Sequence, residues 1–214
     1  MTPQFDLFDS TQNKILAAGT YTQFKAELLA SNCTKCALSG SRTQIVIDRG
    51  NPEAKVLFIG EAPGENEDRQ GKAFVGRAGR LLDGMLKELG FDTDRDALIA
   101  NVVKCRPPEN RAPLPKEAET CLPFLKKQIE LVRPRILVLL GATAIKYILP
   151  EKKDFTMAKE AGRFFESPSY PGVQLMVLYH PAFILRDPRK KPLMEEHLRK
   201  FRDFWLKIIR PFSR

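Results

Sequence analysis

Four short apolar runs constrain this chain more than any other feature of it. Residues 55–59, 98–103, 135–140 and 175–179 are dense in Val, Leu, Ile and Phe, and each is only five or six residues long. Runs of this kind read as strands buried on both faces, and Gly60 and Gly141 stop two of them. Between and after them the apolar spacing becomes helical. One stripe is Ala78, Leu82, Met85 and Leu89, ended by Gly90; a second is Ala118, Leu122, Leu125, Ile129 and Val132; a third is Met194, Leu198, Phe201, Trp205 and Ile208. A further helix is predicted over 21–30. Pro123 falls inside the second stripe, so that helix is predicted to kink or to begin late, close to Cys121. Strands alternating with amphipathic helices predict an α/β fold, a three-layer α/β/α sandwich around a central, mostly parallel four-stranded sheet. The 214 residues suffice for one such domain and are short for two. The expected organisation is a flexible polar tail over 1–13 and a single domain over 14–214.

Ligands of such sheets sit beyond the carboxyl ends of the strands. Attention therefore falls on the loops after Ile59, Val103, Leu140 and Tyr179. The first is glycine-rich, but it carries Glu61, Glu65, Glu67 and Asp68 and matches neither phosphate-binding glycine pattern. Four carboxylates would repel a phosphate, so the loop suits water activation or stabilisation of a cation. The chain as a whole is basic, with 35 Lys and Arg against 26 Asp and Glu and a net charge of +9. That balance points to a polyanionic partner bound in a salt-sensitive way. No apolar run reaches the roughly 18 residues a membrane span needs. No basic-then-apolar leader is seen at the N-terminus, so a cytoplasmic protein is expected.

Four cysteines remain to be explained: Cys33 and Cys36 in a C-x2-C knuckle, and the solitary Cys105 and Cys121. In a reducing compartment two disulfides are a poor account of them. Four thiols can close a zinc site or a 4Fe–4S cluster, here by joining distant parts of the fold.

Four motifs occur in order: G-E-A-P-G-x-x-E-D at 60–68, A-F-V-G at 73–76, N-V-V-K-C-R-P-P at 101–108, and H-P-A at 180–182 followed by Leu185 and Arg186. With the cysteine frame, they resemble the family 4 uracil-DNA glycosylases, the iron–sulfur type, over roughly residues 30–206. The resemblance implies a uracil-DNA glycosylase-like sandwich and hydrolysis of the N-glycosidic bond of uracil in single- or double-stranded DNA. It implies that Cys33, Cys36, Cys105 and Cys121 hold a structural 4Fe–4S cluster; from the residues alone, zinc stays open.

The residues fit that chemistry. A base must leave the duplex to be reached. Phe74 can stack on it, and the amide of Asn101 can pair with the N3–H and O4 of uracil, in a pocket that also involves Gly60, Ala62 and Gly64. His180 can donate to O2 as the base leaves with negative charge. The best-known uracil glycosylases carry an aspartate where this chain has Ala62, so another carboxylate must orient the water. Glu67 is favoured, with Glu61 and Asp68 behind it. Leu185 is expected as a wedge into the vacated stack, with Arg186 and Arg189 on phosphates; Arg106 and Arg111 could also touch phosphate. His197 is expected to be a bystander. Gln4-Phe5-Asp6-Leu7-Phe8 resembles the peptide by which bacterial repair proteins dock on the sliding clamp, and the protein is expected to be a monomer. Two other readings are a relative that crosslinks to uracil-DNA and an inactive Fe–S DNA-binding module. The crosslinking relative carries an inserted basic loop with a histidine, and no histidine lies between Cys105 and Cys121.

Overall fold

A computed structural model describes residues 7–208, with side chains from residue 10 onward. The proposed clamp peptide therefore lies largely outside the described residues. In chain order the elements are α1 (Leu7–Leu16), α2 (Tyr21–Ala30), β1 (Asp48–Gly50), β2 (Val56–Gly60), α3 (Glu65–Gln70), α4 (Arg77–Glu88), α5 (Thr93–Asp96), β3 (Leu98–Asn101) and α6 (Pro115–Val132). They continue with β4 (Ile136–Leu140), α7 (Ala142–Ile148), α8 (Met157–Glu160), β5 (Phe164–Phe165), β6 (Gln174–Leu178), α9 (Pro181–Arg186) and α10 (Lys191–Ile208).

The four apolar runs form β2, β3, β4 and β6, parallel to one another. The sheet nevertheless has six strands, in the order β1-β3-β2-β4-β6-β5. The two additional strands are short antiparallel edges, β1 on β3 and β5 on β6. Successive side chains of a strand face opposite ways, and the core divides by that parity. Leu57, Ile59, Leu137 and Leu139 pack with Phe24 of α2, Phe124 and Leu125 of α6, and Ile145 of α7. Val56, Phe58, Ile136 and Val138 pack with Leu82 and Met85 of α4 and with Leu198 and Phe201 of α10. A helical layer thus covers each face. Phe58 meets Phe91 and Phe201 edge-on, at 6.0 and 5.6 Å between centroids; trimming it to alanine would cost about 3–5 kcal/mol.

Two boundaries differ from expectation. α1 begins at Leu7, within the segment expected as a flexible tail, and its Ile15 joins the core. α6 starts at Pro115, before Cys121 rather than beside it, and runs through Pro123. Pro115 lies at the helix start, where a missing N–H costs nothing, and the Glu117 carboxylate accepts from the Leu114 N–H at 2.7 Å. Among the described residues, no helix is long and apolar enough to cross a membrane.

Candidate active site

The strand order determines where a ligand can sit. β2 leads through α3 to α4 on one face of the sheet, whereas its neighbour β4 leads to α7 on the other. Adjacent strands that part in this way leave a crevice between their carboxyl ends. A cavity of about 1120 Å³ occupies it, lined from all four parallel strand ends by residues that include Glu61, Asn101, Thr143 and His180.

Phe74 and Asn101 form its inner wall. Phe74 has φ 54°, the left-handed region that a bulky residue rarely adopts. Its surroundings hold it there: a Cβ on Gly79 would overlap the Phe74 carbonyl, and one on Gly60 would come 2.6 Å from its ring. Gly60 does not line the cavity but lies behind it; the same Cβ would stand 2.5 Å from Asn101 Oδ1. Asn101 ends β3 and is 1% exposed. Among the described residues, neither its side-chain Oδ1 nor its Nδ2 has a hydrogen-bond partner, and Asn101 lines a cavity bordered by polar groups. Buried amides are almost always paired, so this one has both its donor and its acceptor available to a ligand.

His180 follows β6 and caps α9, its Nδ1 accepting the Ala182 N–H at 3.2 Å. A neutral ring that accepts at Nδ1 carries its proton on Nε2. Burial, and secondarily the charge of Arg186, push the imidazole down to about 4. Its ring lies 5.6 Å from that of Phe74.

The acidic loop divides into distinct roles. Glu67 lines the cavity, and its Oε1 accepts from the Gly76 N–H at 2.6 Å. Gly64 is adjacent because it has no side chain; a Cβ there would be 2.9 Å from Glu67 Oε2. Glu61 also lines the cavity, and Thr143 Oγ1 donates to its Oε2. Asp68 does not line it. It is 2% exposed and turned away, accepting the Thr43 N–H at 2.9 Å and the Gln44 N–H at 3.3 Å. The expectation that Asp68 is a catalytic candidate is corrected accordingly: its oxygens hold the 43–44 segment. Ala62 also lines the cavity.

The mouth is framed by α9 and by the segment after Cys105. Leu185, Arg186 and Lys190 line it, but Ile184 is in the core. Arg189 does not line it, being exposed and paired with Asp187 at 2.7 Å. Across the opening, Arg111 is held by two bonds to Glu117, at 2.9 and 2.7 Å. His197 is absent from the cavity wall and stacks on Tyr179, which lines it. Thr143 and Lys104 were not singled out by sequence reasoning. The signal for Thr143 was its place just past a buried strand. Lys104, inside the N-V-V-K-C motif, is 2% exposed and donates to the Asn101 carbonyl at 2.8 Å.

All four cysteines line one second, small cavity, between the knuckle, the 104–105 segment and α6. Burial pushes Cys105 up to about 11 and Cys121 up to about 12. Arg42 donates to the Cys33 carbonyl at 2.7 Å and to Cys105 Sγ at 3.5 Å. Among the described residues, no three His, Cys, Asp or Glu side chains already close around one metal ion. Four thiols that line one cavity are a donor set that fits an iron–sulfur cluster or a zinc ion.

The sequence profile of the uracil DNA glycosylase superfamily matches residues 47–207. A type-4 uracil-DNA glycosylase of Sulfurisphaera tokodaii is 41% identical over 186 residues, covering 85% of this chain and 83% of its own length. Its counterpart in Thermotoga maritima is 43% identical over 155 residues, covering 72% and 79%. That of Saccharolobus solfataricus is 41% identical over 175 residues, covering 80% and 81%.

Proposed function

The chain belongs to the uracil DNA glycosylase superfamily, and from that premise we propose that it is a DNA-repair hydrolase of the type-4 kind, which releases uracil from DNA and leaves an abasic site. The observation that carries the reading is the Asn101 amide, buried and unpaired at the wall of the cavity.

An extruded uracil stacks on Phe74. Asn101 Oδ1 accepts from N3–H, and Nδ2 donates to O4. With the amide oriented in this way, cytosine, which presents an acceptor at N3 and a donor at N4, makes neither contact. As the bond from C1′ to N1 breaks, its electron pair passes to the base. The neutral imidazole of His180 donates Nε2–H to O2, where that charge collects. The sugar becomes oxocarbenium-like. Glu67, with one oxygen fixed by the Gly76 N–H and the other toward the cavity, orients a water at C1′ and takes its proton. Glu61, held by Thr143, adds negative charge near the cation. Leu185 fills the gap in the base stack, and Arg186 and Lys190 hold phosphate.

The four cysteines would hold a 4Fe–4S cluster, which supplies a covalent tie between the N-terminal knuckle, the strand end that carries Asn101, and α6. Hydrolysis transfers no electrons, so that role is structural. A Cys105→Ser protein should lose its brown colour and unfold at lower temperature; unchanged colour and stability would overturn the assignment. The segment 4–8 is proposed as a clamp-docking peptide, tested by pull-down of the parent and of Leu7→Ala/Phe8→Ala; retention of binding by the variant would overturn it.

A uracil-containing oligonucleotide incubated with the protein and then treated with alkali tests the whole reading. Strand cleavage is expected. A band retarded under denaturing conditions would instead mean crosslinking, and an intact strand would mean a binding module.

A further inference from the structure

We propose that Lys104 is a positioning residue that couples the four-cysteine cage to the amide that reads the base. Its side chain is buried, and the residue stands between the two sites. Nζ donates to the backbone carbonyl of Asn101 at 2.8 Å. Lys104 also lines the small cavity, together with Cys33, Cys36, Cys105 and Cys121. Its own carbonyl is fixed by the Val46 N–H at 2.8 Å.

The chain between the two residues is equally held. Beyond β3, the Val102 N–H bonds the Gly60 carbonyl at 2.9 Å and the Val103 N–H bonds that of Glu61 at 3.2 Å. Residues 101–104 thus fold across the end of β2, and the lysine closes the turn on Asn101. The Asn101 side chain has no partner of its own, so its aim depends on its backbone, and Lys104 supplies a buried, charge-assisted contact to that backbone.

An ammonium in this position needs anionic company. Asp48 is engaged by Tyr21 and Lys25 at 2.7 Å each. Among the described residues, the thiols of Cys121 and Cys105 bear on its charge together with Asp48. Four thiolates outnumber the positive charge of the iron–sulfur core or zinc ion they bind, so a filled cage is net negative and holds the lysine where Asn101 needs it. A cation on the cage side and a donor on the Asn101 side are then one group.

This inference rests on the glycosylase reading, and the test separates the two. Lys104→Met removes donor and charge at nearly constant volume. It should keep the iron and sulfide content of the parent, because all four cysteines remain. Free uracil should inhibit it more weakly, and kcat/KM should fall roughly ten- to a hundredfold. Its cluster should have a lower reduction potential, because a nearby cation favours the added electron. Lys104→Gln, which keeps a donor without the charge, should recover part of the uracil affinity but not the potential, and it answers the same question if the methionine variant fails to fold. Full iron with unchanged uracil affinity, kcat/KM and potential would overturn the proposal. So would loss of iron in both variants, which would make Lys104 a part of cage assembly. If the parent releases no uracil, the glycosylase reading fails, and the potential still judges the contact of Lys104 with the cage.

Discussion

Acidification tests the state of the imidazole at the cavity wall. Burial, with Arg186 second, holds His180 at about 4 instead of 6.5. In the unfolded chain the same ring takes up a proton below about 6.5. The unfolded state therefore binds more protons across that interval, and stability falls as pH drops from about 6.5 toward 4. At pH 5 the loss from this one ring is about 2 kcal/mol. His180→Asn isolates it, because asparagine is a good N-cap for the Ala182 N–H but does not titrate. Urea unfolding of parent and variant at pH 8 and pH 5 gives a difference in which the other titrating groups cancel. The variant should gain about 2 kcal/mol on the parent between the two pH values. In the parent, single-turnover excision should run flat from pH 8 to 5, since the donor is already the neutral ring. A stability difference that does not move with pH, or a rate that breaks near the ordinary histidine value, would refute both the buried neutral ring and its role as donor.

Three further outcomes follow from the cavity wall. Asn101→Ala removes two orphaned polar atoms, each costing about 1–3 kcal/mol while unpaired, so its thermal midpoint should hold or rise while excision falls roughly a hundredfold or more. Glu67→Gln should keep its melting temperature and lose turnover, whereas Asp68→Ala should lose about 3 kcal/mol of stability and keep the rate per folded molecule; the reverse pattern would exchange their roles. Gly60→Ala places a Cβ against Asn101 and Phe74 and should weaken inhibition by free uracil, while Gly84→Ala, open on all sides within α4, should raise stability by up to about 1 kcal/mol and leave inhibition unchanged.

The central strands were legible because each is apolar on both faces, and the site loops because they follow those strands. β1 escaped because Asp48, Arg49 and Gly50 have no strand pattern; the carboxylate that seats it is held by Tyr21 and Lys25, more than twenty residues away. β5 is two residues long, below any periodicity. Glu67 is favoured over Asp68 by the sequence, but the parting of their side chains was not legible there, for a similar reason. They are consecutive, and α3 has no apolar stripe to orient it, yet a helix turns about 100° per residue. One carboxylate therefore faces the cavity and the other the 43–44 segment.

Nothing local in the sequence marks Lys104 as a lysine that folds back into the protein. The Thr143–Glu61 bond is the most instructive omission. It joins the ends of β2 and β4, which become neighbours only because the chain leaves β3 on the far side of β2 and crosses back. Residue types and loop positions are local properties and can be read from sequence. Which oxygen is held, and by whom, is a property of strand order. The same crossover that opens the crevice also brings Thr143 to Glu61, so altering Thr143 should disturb the charge at the cavity without disturbing the fold that makes it.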